Sequence, residues 1–468
     1  MTDNITLMDA SRLAELIASR ELSPVEVLEA HLDRIAAVDP KVNAIVTLAD
    51  GARASARRAE AAIMSGEKVG PLHGVPFTVK DSIDTAGVPT QRASPIFKGR
   101  VPDADATSVA RLKAAGGILL AKTNAPEFAY SIETDNLLSG RTNNPWNLDY
   151  TPGGSSGGES AAIAAGMSPL GLGSDLSIST RGPAAHTGIV GLKATHGRVP
   201  ATGHWPRVPR RFWHIGPMAR SVRDVALAYS VLAGPDGADG FSTLQPDIDA
   251  GAGTTSKRPL RVGWMTSDFF GPVDPEIVAT VRAAALALGG AGVQVEDVKL
   301  PFLKAMDAVD VFWKLQGMEA RTEFETVTAG HEDQVFRHVK AVLGTPDTAI
   351  EDFVAAGQAV ERLRDRFAEY FGRYDALLCP VTPFPATKHG LDDVVVDGET
   401  VSPFHVMNAT SPFSLTGMPA VTLRFGTSGN GLPIGVQIVS AWYAESTMFD
   451  IAMRLEAVSE VRDLHPEI

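Results

Sequence analysis

Near its start the chain places apolar residues at helical spacing. Leu7, Leu13, Leu16 and Ile17 fall on one face, with Asp9 or Ser11 positioned to cap it. Ser23-Pro24 then opens a second helix with the stripe Val25, Val27, Leu28, Leu32 and Ile35, so the pattern predicts two helices over residues 7–38. An alanine-rich helix follows over Ala52–Met64. From residue 70 short apolar runs alternate with helical segments. These are a strand over Val75–Val79 ending at Lys80, a helix over Ser108–Ala115 and a buried strand over Gly117–Leu120. Residues 139–200 are rich in glycine, serine and alanine and read as loops that approach a ligand or other segments closely.

The second half repeats the alternation. Helices are expected over Val222–Leu232, Pro275–Leu288 and Ile350–Phe371, and strands over Leu260–Met265, Leu377–Val381, Ala420–Phe425 and Ile434–Val439. Pro235–Lys257 is polar and reads as a flexible connection. Strand–helix alternation at both ends predicts one large α/β domain over residues 1–468, with a mixed central sheet covered by helices on both faces.

Composition narrows the function classes. The 468 residues are 44% hydrophobic and 21% charged, as in ordinary globular proteins. A net charge of −13 argues against nucleic acid as a main partner. Arg207, Arg210 and Arg211, among prolines, are the best candidate for a local basic patch and read as a solvated loop face. Cys379 is the one cysteine, so no internal disulfide forms, and it reads as a buried strand residue. No signal peptide or membrane span is expected, which makes the cytoplasm the default location. No metal-ligand motif stands out, and no metal or organic cofactor is expected.

The chemistry lies in three places. Gly153-Gly154-Ser155-Ser156-Gly157-Gly158 leads into an alanine-rich helix over Glu159–Ala165. Alone it fits a tight turn, or a phosphate cradle that lacks the Walker lysine. It also contains G-x-S-x-G, centred on Ser155 and again on Ser156, as in a nucleophile elbow. That reading requires a histidine base, and His186, His196, His204, His214 and His405 are available. Lys80 closes an apolar strand; buried, its amine would lose proton affinity and could act as a base. Ser179 stands 24 positions after Ser155. Two serines and a lysine can activate a hydroxyl nucleophile without histidine, which points to acyl transfer.

Long ordered motifs tie these places together. They include LHGVPFTVKDSID at 72–84, LAKTNAPEFA at 120–129, TPGGSSGGESAAIAAGMSPLGLGSD at 151–175, GIVGLKATHGRVP at 188–200 and FSLTGMPAVTL at 413–423. Over nearly its whole length the chain resembles the amidase signature family. The resemblance implies that fold, with N-terminal helices at 7–64, a signature core at about 70–235 and a part at 258–468 that completes the sheet and lines the substrate side. It implies Lys80 as base, Ser155 as a bridging serine after a cis peptide, and Ser179 as nucleophile. It also implies an oxyanion hole of the backbone N–H groups of Leu176, Ser177, Ile178 and Ser179. Ala129, Ser156, Asp175 and Arg181 would support the site or the substrate. The implied activity is hydrolysis of small amides, aryl amides and carbamates included, by a monomer or homodimer. An amidotransferase subunit using glutamine, and a histidine-dependent esterase, are the alternatives.

The chain departs from the family pattern at one point. Ser177 and Ile178 replace two glycines. If either position needed a positive φ, isoleucine there would be costly, and its bulk is expected to reshape the pocket.

Overall fold

The computed structural model describes residues 5–242, 259–266, 270–390 and 392–468. The chain begins with α1 (Ala10–Ala18), α2 (Pro24–Val42), β1 (Ile45–Leu48) and α3 (Ala52–Ser65). It continues through β2 (Pro76–Lys80), α4 (Thr107–Ala114), β3 (Ile118–Thr123), α5 (Gly157–Ala164), β4 (Leu170–Asp175) and α6 (Arg181–Thr187). Next come β5 (Val190–Lys193), β6 (His214–Ala219), α7 (Val222–Leu232), β7 (Arg261–Trp264), α8 (Pro275–Gly290) and β8 (Gln294–Asp297). The helices α9 (Pro301–Lys304), α10 (Ala308–Thr328), α11 (Arg337–Leu343) and α12 (Ile350–Phe371) precede β9 (Ala376–Pro380). The chain closes with β10 (Val394–Val396), β11 (Glu399–Val401), α13 (Ser411–Thr416), β12 (Ala420–Thr427), β13 (Pro433–Ser440) and α14 (Glu445–Ala457).

The helix stripes read from the sequence are the buried faces. Leu13, Leu16 and Ile17 of α1 and Val27, Leu28 and Ile35 of α2 are all buried. Ser23 Oγ accepts the Val25 N–H at 3.0 Å and starts α2, as its position before proline predicts. Each fully buried side chain of this kind stabilises the fold by about 1.5–3 kcal/mol.

Among the described residues, eleven strands form one mixed sheet in the order β1-β3-β2-β4-β6-β5-β12-β13-β9-β7-β8. This is the single domain expected, with both halves of the chain in one sheet. They join where β5 pairs antiparallel with β12. β3 and β4 flank β2 and run parallel to it. Three parallel strands therefore end side by side, at Lys80, Thr123 and Asp175. Ligands in open α/β sheets bind beyond such carboxyl ends.

The structure departs from the sequence reading between residues 139 and 200, which hold, besides the expected alanine-rich helix, two strands and a second helix. β4 reads LGLGSD and is buried at every position, so it has no polar–apolar alternation. Its glycines are there for close approach. A Cβ on Gly171 would lie 1.8 Å from Glu159 Oε1. α10 and α14 were not expected. The buried residues of α10, among them Val311, Phe312, Leu315 and Phe324, are interleaved with Gly317 and charged positions that dilute the stripe. The expected flexible connection at 235–257 lies outside the described residues from 243 onward. Before that it is anchored: Arg111 Nη2 donates to Pro235 O at 2.8 Å, and Thr107 Oγ1 donates to Asp236 Oδ2 at 2.6 Å.

Candidate active site

Lys80 is the last residue of β2 and is fully buried. Its Nζ donates to Ser155 Oγ at 2.6 Å, Ser174 Oγ at 3.0 Å and Ser156 Oγ at 3.1 Å. Ser155 and Ser156 lie in the turn before α5, and Ser174 is the penultimate residue of β4. The Gly154–Ser155 peptide is cis, as the resemblance implies. Gly154 packs against the 131–133 segment so tightly that a Cβ would lie 2.6 Å from Glu133 N. Ser156 N donates to Ser179 O at 3.1 Å, which sets Ser179 beside the Ser155–Ser156 pair.

Burial strips the Lys80 amine of water and drives its pKa down to about 7, against the opposing pull of Asp175 and Glu159. An amine near neutrality at hydrogen-bond distance from a hydroxyl can accept its proton. Asp175 shows the opposite balance. Burial raises its pKa, but the charge and hydrogen bonds of Arg181 outweigh that and hold it down at about 2. Arg181 Nε and Nη2 each meet an Asp175 oxygen at 3.0 Å, with both side chains fully buried.

This pair organises the 176–179 loop. Arg181 Nη2 donates to Ser177 O at 2.7 Å, and Ser414 Oγ reaches the same carbonyl at 3.2 Å. Gly182 N donates to Ile178 O at 2.7 Å. In planar trans peptides an N–H points opposite to its carbonyl. Anchoring these two carbonyls therefore turns the N–H groups of Ile178 and Ser179 to the other side. Ser177 and Ile178 are not among the positive-φ residues, so the isoleucine imposes no left-handed strain. Its bulk is accommodated by Gly182, where a Cβ would lie 2.6 Å from Ile178 Cγ1. The side chain joins a buried cluster with Phe384, Val396, Val406 and Met407. Ser177 Oγ is taken up by Ser411 Oγ at 2.8 Å.

A cavity of about 400 Å³ opens onto Ser179. Its walls include Tyr130, Ile132, Ile178, Phe312, Trp313, Val342, Phe404 and Met407, with Ala129, Leu176 and Ser177 near the serine. Among the described residues lining it there is no Asp, Glu, Lys or Arg; His338 is the titratable side chain there besides Tyr130, and burial first, then Arg337, lowers it to about 4. Ala129 in this wall and its neighbour Phe128 adopt left-handed φ of 58° and 59°, a conformation costing about 1–3 kcal/mol per non-glycine residue.

Other candidates go elsewhere. His196, His214 and His405 meet the carbonyls of Arg210, Phe212 and Pro272, and His204 lies against Trp213. His186 is buried, and the loss of water drives it to about 4. Trp205, Phe212 and Trp213 pack with Phe128, Phe312 and Phe324 in a buried core cluster. Arg210 pairs with Asp239 and Arg211 with Glu319, so the basic stretch is largely neutralised. Burial pushes the Cys379 thiol well up, leaving it an inert strand residue. Among the described residues no His, Cys, Asp and Glu cluster could hold a metal, and no helix is long and apolar enough to cross a membrane.

The sequence reading missed Ser174, Glu159 and the aromatic wall from α10 and residues 403–407. Ser174 directly precedes Asp175 in a strand ending beside β2, and that adjacency was the available signal. The wall comes from segments more than 130 positions beyond Ser179, which local spacing does not bring together.

The mixed sheet thus carries a buried lysine among three serine hydroxyls at a glycine-lined turn. Comparison with known proteins gives the class: the Amidase family model matches residues 26–449, and the chain belongs to the amidase signature family. It is 37% identical to a glutamyl-tRNA(Gln) amidotransferase subunit of Roseiflexus sp. (strain RS-1), over 98% of this chain and 97% of that protein. The structure of 6-aminohexanoate cyclic dimer hydrolase superimposes with a TM-score of 0.87 at 31% identity, covering 99% of both chains. A bacterial aryl acylamidase superimposes with a TM-score of 0.89 at 28% identity, covering 97% of this chain and 96% of that one.

Proposed function

We propose that the protein hydrolyses carboxylic amide bonds, with an uncharged, largely apolar group seated in the cavity beside Ser179. The family makes it an enzyme acting on C–N bonds; the apolar wall of the cavity is the observation that carries the choice of substrate. In this reading neutral Lys80 accepts a proton through Ser155 as Ser179 Oγ attacks the carbonyl carbon. The backbone N–H groups of the 176–179 loop hold the developing oxyanion, each worth about 3–4 kcal/mol in the transition state. The relay returns the proton to the departing nitrogen, and water then attacks the acyl-enzyme by the reverse path. Carbamates and aryl amides fit the same chemistry. The substrate is a small molecule, and the cytoplasm is the proposed location.

The second reading is a glutaminase subunit of a tRNA-dependent amidotransferase, favoured by the full-length likeness to such a subunit. Glutamine would bring an ammonium and a carboxylate into a cavity lined without a charged partner, and burying unpaired charges costs several kcal/mol each. A screen over small amides, anilides, carbamates, esters and glutamine, with intact-mass detection of an acyl group on Ser179, separates the two. Turnover of apolar amides by the chain alone supports the first reading. Glutaminase activity that appears only with a co-purifying second subunit replaces it. Lys80→Ala, Ser155→Ala and Ser179→Ala should each lower turnover by orders of magnitude, and full activity in Ser179→Ala would sink both.

A further inference from the structure

Glu159 is fully buried in the first turn of α5, four residues beyond Ser155. Thr78 Oγ1 donates to its Oε1, and Thr123 Oγ1 donates to its Oε2 at 2.8 Å. Thr78 stands two residues before Lys80 on β2, and Thr123 is the register partner of Lys80 on β3. Both threonines therefore share the face of the sheet from which Lys80 rises. On β4 the register partner of Thr78 is Gly171, the one residue type that leaves room for Glu159 Oε1. Strands β3, β2 and β4 thus form a polar recess beside Lys80 that fits one carboxyl group.

The hydrogen-bond partners of Lys80 Nζ are the three serine hydroxyls. Two acids act on it electrostatically, Asp175 and Glu159. Asp175 is paired with the Arg181 guanidinium and also accepts from Thr180, whereas Glu159 is held by the two threonine hydroxyls. We propose that Glu159 is a positioning residue for the Lys80 amine: its charge, held in the recess by Thr78 and Thr123, sets the pH at which that amine gives up its proton. The proposal rests on Lys80 being the base.

The surroundings of Glu159 are these. β2 brings Lys80, and β3 brings Lys122, whose ammonium is spent on Ile83 O and Thr85 Oγ1. β4 brings Asp175, and α6 brings Arg181 and the neutral His186. At the far end of α5, Arg34 on α2 and Arg220 after β6 hold the carbonyls of Ala165 and Ile163. Burial pushes the Glu159 carboxyl up to about 7, with the two threonines, Lys122 and Lys80 opposing. Lys80 and Glu159 thus titrate as a coupled pair. A carboxylate favours the ammonium form of its neighbour, so removing its charge lets the amine become neutral at lower pH.

A fluorophosphonate probe tests this. Serine attack forms an O–P bond as P–F breaks; fluoride leaves, and the serine proton passes to the relay. The second-order labelling rate of Ser179, located by peptide mass, is followed from pH 5 to 9 for the wild type, Glu159→Gln, Thr123→Val and Lys80→Ala. Glu159→Gln keeps the shape and should move the acidic limb down by about one pH unit, with the plateau within a few-fold. Thr123→Val removes a donor to the anion, makes the carboxyl harder to ionise, and should move the limb the same way by less. A brace without electrostatic role would lower the plateau and leave the midpoint in place, and that result overturns the proposal. If Glu159→Gln does not fold, Thr123→Val carries the test with the same two outcomes. Labelling of Lys80→Ala at the wild-type rate would instead overturn the base assignment itself.

Discussion

Asp175 and Arg181 meet through two 3.0 Å contacts with neither side chain exposed to solvent. Arg181 Nη2 also donates to Ser177 O and Ser414 Oγ, and its Nη1 donates to Thr410 O, so one guanidinium couples a strand end, the serine loop and a segment from the last quarter of the chain. Removing one partner leaves a buried charge uncompensated. Arg181→Met should cost about 3–5 kcal/mol in urea unfolding, and the surviving folded protein should lose kcat far more than it raises KM. A stability change under 1 kcal/mol would show that the ion pair holds nothing in place.

The depressed proton affinity of Lys80 has a stability consequence of definite sign. The folded group titrates near pH 7 and the unfolded one near 10.5. Between those values the unfolded chain binds more protons, so this residue's contribution to stability rises with pH across the window. Below pH 7 the full penalty of a buried ammonium is present, and above 10.5 it vanishes. Lys80→Met should therefore be more stable than the wild type at pH 7, with the gap narrowing as pH climbs toward 10.5. Denaturant midpoints of the two proteins at pH 7, 8.5 and 10 measure it, and a gap that widens with pH refutes it.

Catalysis responds to the same titration in the same direction. With Lys80 as base, kcat/KM should fall about tenfold per pH unit once the pH drops below about 7. A profile flat down to pH 5 would remove the amine from the mechanism.

Ile178 forms part of the cavity wall and also fills the cluster with Phe384, Val406 and Met407. Ile178→Gly should enlarge the cavity and destabilise the protein by about 2–5 kcal/mol through lost packing. In compensation it should shift acyl preference toward bulkier groups. Ratios of kcat/KM along a series of anilides with lengthening acyl chains read this out; an unchanged ratio would place the reacting group away from residue 178.

Much of the site was legible because its chemistry sits in contiguous motifs. Lys80 closes a run of apolar residues, and Ser155 and Ser179 lie in segments whose glycine content needs explaining. The α/β class followed from alternation at both ends of the chain. Strands such as β4 and β5 stayed hidden because they are buried on both faces and carry glycines where other groups press on the backbone, which erases the period of two. The aromatic residues that wall the cavity were hidden for a different reason. Tyr130, Trp313 and Phe404 are ordinary core-forming aromatics in any local window, and their meeting around Ser179 is a property of the tertiary fold. Glu159 looked like one more polar residue opening a helix, because the recess that receives it is assembled from three strands.

The grip of Ser414 on Ser177 O spans 237 positions, and that of Arg181 on Thr410 O spans 229. During synthesis, the segment bearing Ser179 leaves the ribosome with its local anchors Asp175, Arg181 and Gly182, long before Thr410 and Ser414 exist. A nascent polypeptide halted before residue 410 carries Lys80, Ser155 and Ser179 yet lacks the distal half of the clamp on the loop, so residues 410–468 complete a contact made far upstream.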